Sequence, residues 1–419
     1  MKKYELLLND TQKASDGTVL YRIRALRDFG SVCAGELGGY IQKEENLLHN
    51  DNCWLHSGHI KGDATVSGNV QIYRSCINDN VCILSNGSIQ DSELSGECEI
   101  TGDITINKSR IEDKVKISDR VKVIGAKIKG SVLIKDSAVV RGYIDCSGII
   151  SDNVQIHSSS VNIAGGRVSI RDNVELFDKV KILGNVILLD DVKIKDKAEL
   201  YDNCIITGQV VVRDSARIMN QARLSEECQV MGKSVITGHC SVYGKAIISD
   251  NAQIFKGCVI CDNVRISGNA IIKDNVILRD NVKVKDNAMI SDNVNICDYS
   301  EISGNCQIYG DVSISDEVVV KDFAKIYGNA VLSGNAVICG DSQVFEHARV
   351  YDNARVRHHS KVYGTAHVYD SAIITESAEV CGNAHICSNQ IIKGTTKVKD
   401  STYKEDFFSG THKDNIMEH

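Results

Sequence analysis

The sequence predicts an all-β fold, a parallel β-solenoid in which short strands stack coil upon coil, and three observations predict it. From Asp172 to Lys399 the chain repeats a six-residue pattern without insertion or deletion, which gives 38 consecutive hexads. The fifth position is Ile, Leu or Val in all 38 hexads, and the third is Ala, Val, Cys, Ser or Thr in 37. The 419 residues include no proline, which suits continuous strand pairing because proline lacks the N–H that a ladder requires.

Each hexad predicts one short strand followed by one corner. Side chains at positions 3 and 5 point to the same face of a strand, so one small and one aliphatic residue face inward. Position 1 is Gly or Asp in 31 of the 38 hexads, and these residues tolerate the backbone angles of a tight corner. A unit this short cannot bury its apolar face alone and must stack on its neighbours.

The pattern resembles the hexapeptide-repeat left-handed β-helix family, in which an aliphatic residue is followed four positions later by a small one. Ile290 with Val294 and Ile326 with Ala330 match this motif. The resemblance implies left-handed coils, each built from three hexapeptides, and in many members a parallel homotrimer. We therefore expect a left-handed parallel β-helix with a small N-terminal β cap.

The pattern divides the chain into four parts. Residues 1–50 lack the hexad, but the alternation in VLYRIRALRDF and the Gly-Gly of GELGGYI predict the β cap. Residues 51–171 are expected to form β-helix with irregular coils, because five-residue words such as SSSVN interrupt the frame. Residues 172–399 are the regular β-helix. Residues 400–419 are expected to cap the last coil, with Phe407 and Phe408 covering its open edge.

The N-terminal segment carries a second resemblance. The run LYRIRALRDFGSVCAGELGGYI, followed by ENLLHNDNCWLH and then by hexads, is similar to the YdcK-like proteins of bacteria and to hexapeptide-repeat proteins carried by prophages. This resemblance covers essentially the whole chain. Members of the group are usually labelled acyltransferases because of their fold. In acyltransferases of this fold a histidine at the subunit boundary acts as general base, and acyl-CoA lies in the groove between subunits.

Composition narrows the functional class. The net charge of −7 comes from 48 basic and 55 acidic residues that are interspersed, which favours solubility over general nucleic-acid binding. The N-terminus has no signal-peptide core, and no apolar run reaches the roughly 20 residues that span a bilayer. We therefore expect a cytoplasmic protein that does not bind membranes. The 16 cysteines follow the repeat and are expected to be reduced thiols that pack as small apolar residues.

Functional residues are expected at the outward positions 4 and 6 and at the corners, because positions 3 and 5 form the core. Basic residues and histidines recur there towards the C-terminal end, where they form either a solvated corner or a site for an anionic ligand. The candidate ligand-binding residues are Arg349, Arg357, His358, His359, Lys321 and Lys285.

Aromatic residues recur at position 6 of a second face, at Tyr309, Tyr327, Phe345 and Tyr363. A ladder of this kind stabilises stacked strands. An apolar edge of this length is alternatively an oligomer interface, because such stripes rarely remain exposed. We keep both interpretations and name these four residues as the candidate interface of a homotrimer.

His367 and His385 are the catalytic candidates, although no motif assigns a catalytic residue. They are three hexads apart at position 4 and should stack on adjacent coils, with Arg349 one coil earlier. An imidazole titrates near neutral pH and can act as a general base. No metal site is expected, because no Asp or Glu completes a ligand set with these histidines.

Two functions are compatible with these features. The leading hypothesis is a non-catalytic β-solenoid binding or scaffold protein, trimeric and phage-derived, that sequesters a small anionic or nucleotide-like ligand between subunits without a cofactor. It rests on the basic residues and on the 38 uninterrupted hexads, which leave no room for the loop that related acyltransferases extrude near their histidine. The alternative is an acyl-CoA-dependent acyltransferase of the hexapeptide-repeat type.

Overall fold

A computed structural model describes residues 2–403 of the protein. Strands dominate this part of the chain, and Glu44–Asn46 forms a single turn of 3₁₀ helix. The chain divides between Gly238 and His239 into two compact units. The predicted C-terminal cap, with Phe407 and Phe408, lies almost entirely outside the described residues. No helix in the described part of the chain is long and apolar enough to cross a membrane.

The first unit begins with an antiparallel β region. Strands β1 (Tyr4–Lys13), β2 (Val19–Ala25) and β3 (Leu37–Ile41) pair in sequence order as antiparallel neighbours. Strand β3 then pairs in parallel with β5 (Gly58–Ile60), which joins this region to the stacked coils. The N-terminal β region predicted from the sequence is therefore present.

The remaining strands of the first unit pair in parallel. They are β4 Trp54–Leu55, β6 Thr65–Tyr73, β7 Ser75–Ile77, β8 Cys82–Gln90, β9 Glu93–Leu94, β10 Glu99–Asn107, β11 Arg110–Ile111, β12 Lys116–Ile117, β13 Lys122–Ile134, β14 Val139–Ile150, β15 Gln155–Ile156, β16 Asn162–Ile170, β17 Glu175–Leu176, β18 Lys181–Leu183, β19 Val186–Leu188, β20 Lys193–Ile194, β21 Glu199–Tyr201, β22 Ile205–Ile206, β23 Val211–Val212, β24 Arg217–Met219, β25 Arg223–Leu224, β26 Gln229–Val230 and β27 Val235–Thr237.

The coils of the first unit vary in length, as the interrupted frame predicts. Thr65 pairs with Cys82, which is one position short of three hexads, because a five-residue word shortens the coil. The register also shifts twice, once between Val123 and Ala126 and once between Asp145 and Ser147. Successive coils of this unit therefore differ in length and in strand register.

The second unit consists of uniform parallel coils. Its strands are β28 Ser241–Val242, β29 Ile247–Ile248, β30 Gln253–Phe255, β31 Val259–Ile260, β32 Arg265–Ile266, β33 Ile271–Lys273, β34 Ile277–Leu278, β35 Lys283–Val284, β36 Met289–Ile290, β37 Asn295–Ile296, β38 Glu301–Ile302, β39 Gln307–Gly310, β40 Ser313–Ile314, β41 Val319–Val320, β42 Lys325–Gly328, β43 Val331–Leu332, β44 Val337–Ile338, β45 Gln343–Val344, β46 Arg349–Val350, β47 Arg355–Val356, β48 Lys361–Val362, β49 His367–Val368, β50 Ile373–Ile374, β51 Glu379–Cys381, β52 His385–Ile386, β53 Ile391–Ile392, β54 Lys397–Lys399 and β55 Thr402–Tyr403.

Each strand from β28 to β52 pairs with the third strand after it, so three strands complete one coil. Val259 pairs with Ile277 and Ile277 with Asn295, and each step spans three hexads. Inward positions of the second unit are buried as predicted up to Ile386, but in the last coil Ile392 is only half-buried and Thr396 is exposed. Ile290 is fully buried, whereas its outward neighbour Met289 is 37% exposed. The parallel β-solenoid with three hexapeptides per coil is therefore confirmed within this unit.

The cysteines support the same frame. None of the described cysteines forms a disulfide. Cys204 and Cys306 occupy inward third positions and are fully buried. Burial raises the pKa of each thiol to about 12, so both remain protonated and pack as small apolar side chains.

The corners are formed by position 1, which adopts a left-handed backbone conformation. Asp280 has φ of 63° and Asp298 has φ of 62°. The backbone N–H of Asp298 donates to Oδ2 of Asp280 at 3.3 Å, and that of Asp316 donates to Oδ2 of Asp298 at 3.1 Å. Glycine takes the same position in other hexads and meets no steric penalty at positive φ, as at Gly304 with φ of 74°.

The burial pattern predicts different outcomes for adjacent substitutions. Ile290→Asp would place a carboxylate in a dry aliphatic column and should lower stability by several kcal/mol. Met289→Asp should cause little loss because that side chain reaches solvent. Chemical denaturation of the two variants tests the frame, and equal midpoints would contradict it.

Candidate functional site

Three position-4 side chains of the second unit form a column on one face. Arg349 pairs with His367, and His367 pairs with His385, so these side chains occupy successive coils. The two imidazole rings stack with centroids 4.6 Å apart and an interplanar angle of 21°. The stacking predicted from the spacing of three hexads is observed.

Two tyrosines lie beside the histidines. Tyr351 and Tyr369 stack at 5.0 Å, with their rings 3° from parallel. Tyr351 meets His367 edge-on at 6.0 Å, and Tyr369 meets His385 edge-on at 6.5 Å. We call Arg349, Tyr351, His367, Tyr369 and His385 the His–Tyr face. Sequence reasoning did not connect the tyrosines with the histidines, although positions 4 and 6 of one strand point to the same side.

The protonation states follow from these surroundings. Burial lowers the pKa of His367, and the charges of His385 and Arg349 lower it further. A hydrogen bond with Cys387, together with burial, raises the pKa of Tyr369 to about 12. At neutral pH the imidazole of His367 is therefore uncharged and can accept a proton, whereas the neighbouring phenol of Tyr369 keeps its proton.

The predicted anion-binding residues do not form one site. Arg357 and His358 meet at Thr375: Nε of Arg357 donates to Oγ1 at 3.2 Å, and Nδ1 of His358 lies 2.7 Å from it. Arg349 instead belongs to the column of His367 on another strand. Lys321 and Arg357 both lie near the thiol of Cys339, whose pKa is nevertheless raised because burial outweighs their charges.

Two other predicted residues are engaged with acids. Lys285 forms an ion pair with Glu301, which also raises the pKa of the lysine. Nδ1 of His359 lies 3.2 Å from Oδ2 of Asp341 on the exposed surface. Both side chains are therefore occupied by acidic partners, and the basic set reduces to a corner formed by Lys321, Arg357 and His358.

The aromatic residues form a continuous stack. Tyr309, Tyr327, Phe345 and Tyr363 have consecutive ring centroids 5.0, 4.7 and 4.9 Å apart, and each pair is 4° from parallel. All four side chains are half-buried. The predicted ladder is present, and its use as an oligomer interface remains a prediction.

One acid–thiol group in the described residues has atoms close enough to share a cation. Asp280, Cys297 and Asp298 place one ligand atom each within 4.8 Å of the others. Both carboxylates already accept backbone N–H groups of the next coil. Burial raises the pKa of the Cys297 thiol to about 11. The group is an ordinary corner of the repeat, and we propose no metal there.

Comparison with known proteins yields limited similarity. No protein-family model matches the chain. A curated relative, the uncharacterized acetyltransferase YdcK of Escherichia coli strain K12, is 36% identical over 106 residues, covering 23% of this chain and 32% of the relative. The chain thus matches about a third of that protein's length. The resemblance to YdcK-like proteins is confirmed over this segment.

A solved structure with some similarity is a UDP-N-acetylglucosamine acyltransferase from Campylobacter jejuni. It is 14% identical, with a TM-score of 0.16, over 50% of this chain and 67% of that chain. A similarity this low carries no argument about function.

The lowered pKa of His367 predicts how its imidazole titrates. Because the folded state disfavours the charged ring, the NMR titration midpoint should lie below the ordinary value of about 6.5. Replacing His385 with Gln should raise that midpoint by removing one positive neighbour. Below about pH 6.5 the unfolded chain binds more protons at this residue than the folded chain does. Protonation of His367 therefore lowers the free energy of unfolding as the pH falls from about 6.5 to the pKa of the folded state. A midpoint at or above the ordinary value in the unmodified protein would contradict this prediction.

Proposed function

We propose that this protein is an acyl-CoA-dependent acyltransferase of the hexapeptide-repeat type, with His367 as general base. The observation that carries the proposal is the half-buried imidazole of His367, which stacks on His385 one coil after Arg349, where burial and these neighbours lower its pKa. The name of the matched relative, an acetyltransferase, supports the same reaction class. The leading hypothesis from the sequence, a non-catalytic binding protein, receives no comparable support.

The proposed chemistry assigns a separate role to each side chain. The free nitrogen of His367 takes the proton from a hydroxyl or amino group of the acceptor while that group attacks the thioester carbonyl. The carbon–sulfur bond of the thioester breaks, and the CoA thiolate leaves and regains a proton. Arg349, one coil earlier, supplies a positive charge for the anionic donor. Tyr369 remains protonated and can donate a hydrogen bond.

Removal of the base should strongly slow turnover. With acetyl-CoA and a panel of amino and hydroxyl acceptors, His367→Ala should lower the rate of CoA release by about 10²–10⁴, as expected for a lost general base. The matched control is His347→Ala, because His347 is exposed and lies outside the His–Tyr face. CoA release measured by chromatography should also fall as the pH drops through the pKa of His367.

A result of no acetyl-CoA binding by calorimetry, or of equal rates for the His367 and His347 variants, would contradict the proposal. Tight binding of nucleotide-like anions without turnover would favour the second candidate function, non-catalytic ligand sequestration. The specific observation favouring that candidate is the corner where Arg357 and His358 converge on Thr375. Arg357→Gln should then weaken anion binding, whereas His367→Ala should not.

The proposal includes a homotrimer whose subunits meet along the aromatic stack. Such an assembly would cover the half-buried apolar edge. Replacing Tyr309, Tyr327 and Tyr363 together with Ser should lower the molar mass measured by light scattering towards that of a monomer. The matched control replaces Tyr351 and Tyr369 with Ser, and its molar mass should stay that of the unmodified protein, because these two tyrosines form a separate stack. A monomeric unmodified protein, or an unchanged mass for the triple variant, would refute the proposed interface.

A further inference from the structure

The first unit contains a groove of about 620 Å³ on one sheet face. Its floor follows a column of outward side chains in which Ile149 pairs with Ser169, Ser169 with Ile187, and Ile187 with Ile205. Three steps of about 4.8 Å between stacked strands make this floor roughly 14 Å long. We call this feature the Ser169 groove.

Ser169 is the reason that the column has a depression. The other three floor residues are isoleucines, so the small serine leaves a notch between aliphatic side chains. All four side chains are half-buried. The notch is apolar on its walls and carries one hydroxyl at its base.

An enlarged coil borders the notch. The step from Ile149 to Ser169 exceeds three hexads by two positions, whereas the following step to Ile187 spans three hexads. The enlarged coil includes a corner with two successive left-handed glycines, Gly165 and Gly166, with φ of 65° and 67°. Arg167 follows directly, and its backbone N–H donates to Oδ1 of Asn185 at 2.7 Å. The enlarged coil thus fixes an arginine at one edge of the groove.

A second arginine, Arg171, also lines the groove. Its Nε donates to Oγ of Ser169 at 2.9 Å, which leaves the serine O–H free to donate in turn. Arg74, Arg110 and Arg217 of the same unit form ion pairs with acids. Within residues 2–403, by contrast, neither Arg167 nor Arg171 has a carboxylate oxygen within 4.0 Å. Two guanidinium groups that have no ion-pair partner within this distance therefore border a largely apolar groove.

We propose that the Ser169 groove binds a small aliphatic anion, with its chain over Ile149 and Ile187 and its oxyanion group held by Arg171, Arg167 and the Ser169 hydroxyl. Guanidinium groups bind carboxylates and phosphates through paired hydrogen bonds. A ligand with an alkyl chain should bind more tightly than a fully hydrated inorganic anion. Only the alkyl chain gains affinity from contact with the apolar floor. No residue of this groove belongs to the His–Tyr face, so the proposal is independent of acyl transfer.

Calorimetric titration of the full chain tests the site with three eight-carbon probes: octanoate, octyl phosphate and octan-1-ol. At least one of the two anions should bind, and octan-1-ol should bind at least tenfold more weakly. Comparison of octanoate with octyl phosphate identifies the preferred oxyanion. Absence of binding by both anions at millimolar concentration, or equal binding of the alcohol, would overturn the proposal.

Variants locate the binding. The double change Arg167→Gln and Arg171→Gln should weaken anion binding at least tenfold, whereas Arg265→Gln, an exposed arginine that does not line the groove, should leave it unchanged. Ser169→Ile should fill the notch and abolish binding without lowering the melting temperature, since isoleucine occupies the equivalent site in neighbouring coils. If Ser169→Ile destabilises the protein, the double arginine variant decides alone, and unaltered affinity there would refute the site.

Discussion

The hydrogen bond from an aspartate carboxylate at a corner to the backbone N–H one coil later is the interaction on which the stacked coils depend. Asp280 accepts the N–H of Asp298, and Asp298 accepts that of Asp316. The same bond persists where the coil is shorter, since Asp79 accepts the N–H of Gly96 at 3.0 Å. Each bond satisfies a backbone donor and places one corner directly over the next. With the corners aligned, the strands between them stack, and every column of outward side chains follows.

The columns of outward side chains produce both favourable contacts and repulsion between like charges. A strict register places equivalent side chains about 4.8 Å apart, so aromatic residues stack and opposite charges pair. It also brings like groups together, as with Arg349, His367 and His385. Their mutual repulsion, added to burial, keeps the His367 imidazole uncharged near neutral pH. A repeat that stabilises the fold can therefore also tune a titratable group without any loop.

The Ser169 groove depends on a break in the register, whereas the His–Tyr face depends on a regular one. The enlarged coil before Ser169 displaces the backbone at Gly165 and Gly166 and sets Arg167 at the groove's edge. The sequence indicated an irregularity in this region through the word SSSVN. It did not indicate a groove, since the depression depends on which outward side chain in the column is small and on which arginines lack acidic partners.

The sequence by itself determined the inward and outward positions, the corners and the parallel stacking. Every hexad has an aliphatic residue at position 5, such as Ile290, and these residues are all buried together only if the hexads stack in register. It also determined that His367 and His385 are neighbours. Only the tertiary structure decided the contacts of outward side chains: that Lys285 pairs with Glu301, and that tyrosines stand edge-on to the histidines. These contacts depend on side-chain rotamers and on distances between different strands, and a linear period constrains neither.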